Sequence, residues 1–281
     1  MVRIRVLESK DLPFAVSLAN TMNWNMNAAD FEFNMQLEPN GCFLSQAGPE
    51  QNGLATCISY VQVGWFGNLI VSEAYREQGV GTKLVRAAMK YLASRNVRTI
   101  GLYAYPQLAD FYSKLGFKPE VDFSALKADS VCETSTETRN FRIIKAQDLS
   151  TIADFDAEFF GACRERLFDL LFKNPHNLGY VAFEGSKVVG FVASKVFGEF
   201  AEVGPLVCLR SKPEIAQELL NTILSRLNGF EALVYIPTSE LILLNNAYNA
   251  GFKEEFRLKR MFFGPVLAKN CIYLAESLER G

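Results

Sequence analysis

The 281-residue chain has a single histidine, His176. A Ser-His-Asp triad could use no other imidazole, and a metal site needing two histidine ligands cannot be built. Closely spaced cysteines are missing too. Cys42, Cys57, Cys132, Cys163, Cys208 and Cys271 are never nearer than 15 positions to one another, so there is no CxxC pair for zinc or thiol exchange. Four of the six stand in apolar, strand-like runs and read as small core residues. An excess of charge of either sign is absent: 29 Lys and Arg face 31 Asp and Glu, a net charge of −2. The balance holds along the chain, with 12 basic and 12 acidic residues up to residue 130 and 17 and 19 after it. Nucleic-acid surfaces need clustered cations that displace counterions, so no nucleic-acid partner is expected. Residues 1–8 contain no long apolar stretch and do not read as a signal peptide. The longest uncharged run, 51–72, includes Asn52, Ser59, Gln62, Gly64, Gly67 and Asn68. Its β-branched residues predict two strands in place of a membrane span. A soluble, reduced, cytoplasmic protein with no membrane partner and no metal is the expectation.

Composition is ordinary for a globular chain, at 49% hydrophobic and 21% charged residues, and the length suggests two domains. A strand is predicted at 2–7, then a helix from about Asp11, whose carboxylate reads as its cap, with Phe14, Leu18 and Met22 along one stripe. A second helix, 28–37, ends at the turn Pro39-Asn40-Gly41. Strands follow at 42–46, 54–61 and 64–71. The next helix, 79–94, turns Leu84, Ala88 and Leu92 inward and Lys83, Arg86 and Lys90 outward. A strand at 99–104, a helix at 107–115 and closing strands from Phe117 complete the first half.

Residues 128–138 are rich in Asp, Ser, Glu and Thr and read as a linker. Beyond it the order restarts. A strand at 141–145 precedes a helix capped by Asp148 and carrying Ile152, Phe155 and Phe159, then a helix at 163–173. Strands at 180–184, 188–196 and 201–208 lead to a helix at 212–227. A strand at 232–236, a helix at 239–250 and a strand at 255–263 follow. Ser113-Lys114-Leu115-Gly116-Phe117-Lys118 stands where Tyr248-Asn249-Ala250-Gly251-Phe252-Lys253 stands in the second half. The chain therefore reads as an internal duplication of one α+β domain: 1–128, a linker 129–138, and 139–281.

The chemistry is concentrated in Leu69-Ile70-Val71-Ser72-Glu73-Ala74-Tyr75-Arg76-Glu77-Gln78-Gly79-Val80-Gly81-Thr82. Here a strand ends and Arg76-x-x-Gly79-x-Gly81 opens an amphipathic helix. Glycines let backbone approach a ligand, and the free amides of a first helical turn cradle a pyrophosphate. Arg76 adds a fixed positive charge. The spacing is neither G-x-G-x-x-G nor a P-loop, which excludes the dinucleotide and NTPase readings.

Thirty-one residues past Gly81 comes Tyr112-Ser113-Lys114-Leu115-Gly116-Phe117. With the loop, this pairing resembles the GNAT superfamily of acyl-CoA-dependent N-acetyltransferases, over about residues 2–127. The rest of the chain resembles the degenerate second domain of tandem GNAT proteins, and the Trp65–Val71 and Val203–Val207 strands fit that pattern. The resemblance implies two GNAT-like domains, each a mixed, mostly antiparallel sheet flanked by helices. It also implies acetyl-CoA as cosubstrate. Amides of Arg76, Glu77, Gln78, Gly79, Val80, Gly81 and Thr82 would hold its pyrophosphate. Leu69, Ile70 and Val71 would pair with the pantetheine arm, one amide polarising the thioester carbonyl. Tyr112 would be the general acid that protonates the departing thiolate. Its alternative is a ring packed on the core with the hydroxyl at the surface.

The second half departs at both decisive places. Arg210-Ser211-Lys212-Pro213-Glu214 replaces the loop, and Ser211-x-x-Glu214 reads as a capping box that uses up the helix amides. Counting back four from Gly251 reaches Ala247, with Tyr248 one position and about 100° out of register. The second domain is expected not to catalyse but to pack on the first as a pseudo-dimer, leaving the chain monomeric. No general base is evident. Asp30, Glu32 and Glu73 are candidates by proximity to the cleft of this fold, and each reads first as a capping or surface carboxylate. Trp24 could line the acceptor site beside Asp30, or cover the core. His176 reads as a solvated turn residue. The expected activity is acetyl transfer to a small-molecule or protein amine. The alternative is a non-catalytic acyl-CoA-binding or scaffold protein on the same fold.

Overall fold

The computed structural model describes residues 2–132, 141–267 and 269–281. It contains two compact units, Met1–Leu102 with Arg280, and Tyr103–Glu279 with Gly281. Sequence repetition and compactness divide the chain differently. The sequence places a linker at 129–138, whereas the compact units part after Leu102.

The first unit is a sheet ordered β1 (Val2–Val6), β2 (Cys42–Ala47), β3 (Glu50–Tyr60), β4 (Val63–Val71) and β5 (Thr99–Ala104), β5 carrying the chain into the second unit. The first four strands are antiparallel, and β5 is parallel to β4. Between β1 and β2 come α1 (Leu12–Asn20) and α2 (Ala28–Leu37); α3 (Val80–Ser94) joins β4 to β5. Adjacent residues of a strand point to opposite faces, and β3 uses this directly. Leu54 joins Leu12, Ala15, Leu18, Phe31 and Ile70 in the core beneath α1 and α2. Gly53 faces Leu84 of α3, where an added Cβ would lie 3.3 Å from Leu84 Cδ1. The expected inward stripe of α3, Leu84, Ala88 and Leu92, is fully buried.

In the second unit come α4 (Ala109–Ser113), β6 (Lys118–Ala128), β7 (Arg142–Ile143), α5 (Leu149–Phe160), α6 (Glu165–Leu171), β8 (Leu178–Glu184), β9 (Lys187–Phe197) and β10 (Phe200–Leu209). They are followed by α7 (Pro213–Ser225), β11 (Glu231–Pro237), α8 (Leu241–Asn249), β12 (Lys253–Phe263) and β13 (Cys271–Leu274). The sheet order is β12-β6-β11-β10-β9-β8-β7, with β13 also paired to β10. Thus β6, the last strand of the first sequence repeat, lies antiparallel between β11 and β12 of the second. Helix α7 buries Ile215, Leu219 and Ile223 in one core, while α5 and α6 supply Ile152, Phe159 and Phe168 to another.

The α+β architecture and the element order agree with the sequence reading; several local expectations are corrected. Asp11 does not cap α1. Its carboxylate accepts two bonds from Arg5 (2.6 and 2.8 Å), one from Glu8 N–H (2.9 Å) and one from Gln51 (2.7 Å), closing the short turn before the helix. Asp148 does the same with Arg142 and Lys145 N–H. The helix expected at 107–115 is a short 3₁₀ turn followed by α4. The linker begins tied down: Val131 is buried and Cys132 N–H donates to Ala250 C=O (2.9 Å); residues 133–138 lie outside the described residues. Cys42, Cys57 and Cys208 are buried core residues, Cys271 is half-buried, and Cys132 and Cys163 are exposed. No helix among the described residues is long and apolar enough to cross a membrane.

Candidate functional site

The loop between β4 and α3 is shaped by two left-handed residues, Glu77 (φ +61°) and Gly79 (φ +75°). Gly79 is the N-cap of α3, and a Cβ there would meet no heavy atom within 4 Å, so the backbone faces open space. No side chain caps the helix, and its ladder begins with Lys83 N–H donating to Gly79 C=O (3.1 Å). The amides of Val80, Gly81 and Thr82 therefore point outward without an acceptor among the described residues, at the positive end of a 15-residue helix. Arg76 differs from expectation. Its amide is spent on Glu73 C=O (3.1 Å), and its guanidinium donates to Val71 C=O (3.1 Å), which leaves it a side-chain charge beside the strand end. Gln78 braces the loop through Ala74 C=O (2.8 Å).

Just before the loop, β4 changes partners. It pairs with β5 only over Val63–Trp65. A bulge follows at Asn68 (φ +50°), after which Leu69, Ile70 and Val71 keep β3 on one side, with no ladder partner on the other among the described residues. An unpaired strand edge is a template for another extended chain.

The turn between α1 and α2 lies against this loop, since Arg76 Nη2 stands 3.8 Å from Met22 Sδ. Trp24 sits in it between two left-handed asparagines, Asn23 (φ +57°) and Asn25 (φ +49°), half-buried against the first unit's core. Asp30 closes the α2 capping box by accepting from Asn27 N–H (2.8 Å). Glu32 and Glu73 are both exposed. His176 is an exposed turn residue of the second unit.

Tyr112 belongs to the second unit, at the end of α4. Its residue is 5% exposed, and its ring lies edge-on to Phe111 and Phe117 at 5.0 and 5.9 Å. Burial pushes the phenol above its ordinary range and keeps it a protonated donor. Its carbonyl accepts from Phe117 N–H (3.1 Å), which fixes Tyr112 against the Gly116-Phe117 turn. Among the described residues no group of three or more His, Cys, Asp and Glu is placed to hold a metal ion.

Sequence models of the acetyltransferase (GNAT) domain match twice, at residues 41–119 and 152–273. The chain belongs to the GNAT superfamily, with two GNAT domains in tandem. It is similar in structure to a protein of Pyrococcus horikoshii assigned as an acetyltransferase (22% identity, TM-score 0.82, covering 100% of this chain and 96% of that one). GCN5-related N-acetyltransferases from Sphaerobacter thermophilus (15%, 0.67, 100% and 98%) and Kribbella flavida (16%, 0.58, 93% and 70%) share the fold. No curated protein matches in sequence. The GNAT fold is one that supports acyl transfer.

The two GNAT repeats keep the same skeleton and treat it differently. Phe252 N–H donates to Ala247 C=O (3.0 Å) as Phe117 N–H does to Tyr112 C=O, so Ala247 is the structural counterpart of Tyr112; Tyr248 is exposed. The expected capping box at Ser211 does not form. Lys212 is the N-cap of α7, with no side-chain cap. The amides are used otherwise: Pro213 has none, and Ile215 and Ala216 donate to Lys212 C=O (3.1 and 3.2 Å). Arg210 turns away to Glu240 (2.6 Å) and Cys271 C=O. Past a bulge at Gly204-Pro205, β10 leaves β11, and Leu206–Leu209 pair with β13. The sequence reading missed β13 altogether. It also missed two buried ionic groups of the second unit: Arg164 with Asp156 (2.7 and 2.8 Å), and Lys195 with Glu202 (2.5 Å) and Glu276 (2.7 Å).

Proposed function

We propose that the chain is an acetyl-CoA-dependent N-acetyltransferase that moves the acetyl group directly from the thioester to an amine, with one acyl-CoA site per chain. The observation that carries the reading is the uncapped N-terminus of α3 following an unpartnered strand edge. Amides of Val80, Gly81 and Thr82, with those of Glu77, Gln78 and Gly79, would take the pyrophosphate, and Arg76 would add charge. Leu69, Ile70 and Val71 would pair with the pantetheine arm, an amide there meeting the carbonyl oxygen as negative charge develops. The neutral amine attacks the carbonyl carbon, the C–S bond breaks, Tyr112 donates its proton to the leaving sulfur, and the nitrogen gives up its extra proton to solvent water, from which the phenolate is reprotonated. The phenol carries its proton at neutral pH, as a donor must, while burial makes that proton harder to give up. Trp24, on the turn that meets Arg76 through Met22, and Asp30, in the first turn of α2, would border the amine, which is a small molecule or a protein amine.

The second repeat is read as non-catalytic and the chain as sufficient in monomeric form. Its α7 offers few amides, its counterpart of Tyr112 is alanine, and β13 fills the strand edge. One observation favours the rival, a non-catalytic acyl-CoA binder: Asp30 is engaged in a cap, and among the described residues neither Glu32 nor Glu73 is held toward the loop by a hydrogen bond of its side chain. Calorimetric titration with acetyl-CoA is expected to give one site per chain. Tyr112→Phe should then lower kcat about 100-fold while leaving the acetyl-CoA affinity intact. Two sites would refute the reading of the second repeat, an unchanged kcat would refute the acid, and no binding would refute the whole.

A further inference from the structure

Resting on the reading of Leu69–Val71 as the strand edge that takes the acyl-CoA arm, we propose that Thr56 and Asn68 form a latch that holds this edge in its binding geometry. The register between β3 and β4 shows what is being held. Thr56 is opposite Gly67 and Leu54 is opposite Ile70, so Ala55 faces two residues, Asn68 and Leu69. Such an extra residue bends its strand and re-aims the residues beyond it. Asn68 meets the bend with φ +50°, a left-handed conformation that a non-glycine residue adopts at a cost, asparagine least. The side chains then tie the bend to the neighbouring strand. Asn68 Nδ2 donates to Thr56 Oγ1 at 3.2 Å, and the two residues are 9% and 1% exposed.

The second repeat supplies an internal control for what the bend does. In β10 the register shifts between Val203 and Leu206, and the residues at the bend are Gly204 and Pro205. A glycine at φ +152° and a proline build this bulge from the backbone, with no side-chain tie to make. Immediately after it, Leu206–Leu209 accept an extended segment, β13, in antiparallel register. In both repeats, then, the bulge turns the residues after it outward into an edge that an extended chain can join. In the first repeat the same outcome depends on two side chains. Thr56 and Asn68 are positioning residues: neither need touch the acyl group, and both fix the amides that do.

The test separates the arm from the phosphates. Two probes are titrated into the full chain: acetyl-CoA, and adenosine 3′-phosphate 5′-diphosphate, which carries the phosphates without the arm. Thr56→Val keeps the shape and removes the acceptor, leaving a buried amide donor unpaired. It should weaken acetyl-CoA binding and raise its KM about tenfold, with the arm-less probe unchanged. Thr56→Ser restores the hydroxyl and should restore the affinity; Asn68→Gly, which keeps the left-handed backbone, should fall between. Acetyl-CoA binding to Thr56→Val at the wild-type level would overturn the latch, as would equal weakening of both probes. Should Thr56→Val fail to fold, Asn68→Gly carries the same comparison. If the wild-type chain binds neither probe, the acetyl-CoA reading itself fails and takes the latch with it.

Discussion

Gly79→Glu tests the phosphate loop at its most exposed backbone position, and the structure separates its effects. A Cβ at residue 79 has no heavy atom within 4 Å, so no clash is created. What remains is the left-handed φ of +75°, which costs an L-residue about 1 kcal/mol and should lower the melting temperature by about 3 °C. Gly79→Ala carries that strain alone. The added carboxylate of Gly79→Glu stands at the N-cap of α3, where it meets the helix dipole and its own first-turn amides, a gain of about 0.5 kcal/mol. The Glu variant should therefore melt no lower than the Ala variant. Binding should move the other way. A carboxylate about 5 Å from one phosphate charge opposes it by about 1–3 kcal/mol between the dielectric limits of surface and water, and it also occupies the amides the ligand needs. Acetyl-CoA affinity, read by calorimetry, should fall about 10- to 100-fold below that of Gly79→Ala. If the two variants bind alike while both stay folded, the pyrophosphate does not sit at this helix.

Two further changes test the local corrections. Asp11→Asn removes the charge that Arg5 grips, and should cost about 2 kcal/mol in urea unfolding at pH 7. The hydrogen bonds from Arg5 hold the Asp11 carboxyl below its ordinary range, so its stabilisation is present above about pH 4 and is lost as pH falls through the depressed folded value. The gap between wild type and variant should close on acidification, and a gap independent of pH would refute the assignment. Ser211→Ala should leave stability within about 0.5 kcal/mol, because no side chain caps α7; a capping serine would register about 1 kcal/mol in the same unfolding experiment.

What was legible in the sequence is what neighbours in the chain decide. The stripe Leu84, Ala88 and Leu92 announces α3 because a helix repeats every 3.6 residues, and Gly79 and Gly116 mark turns whose left-handed backbone glycine tolerates. A further local signal was present and went unread: Arg5-x₅-Asp11-Leu12 recurs as Arg142-x₅-Asp148-Leu149. Both aspartates reach back to the strand arginine, while an aspartate before a helix ordinarily reads as its cap. The rest depends on partners far along the chain. Nothing within four residues of Cys271 tells that it will pair with Leu209, or that β6 will lie between β11 and β12. Arg164 and Asp156 carry the letters of surface charges, yet their side chains are fully buried against each other. The candidate site divides along the same line. The amides after Gly79 come from a local turn and the proposed acid Tyr112 from a local helix end, and short-range patterns in the sequence mark both elements. The difference between an open edge at Leu69–Val71 and a filled one at Leu206–Leu209 is set by whether a distant segment returns. For that reason the repeats look alike wherever the chain decides locally. They diverge at the strand edge, where a ligand in one repeat would take the place that β13 holds in the other.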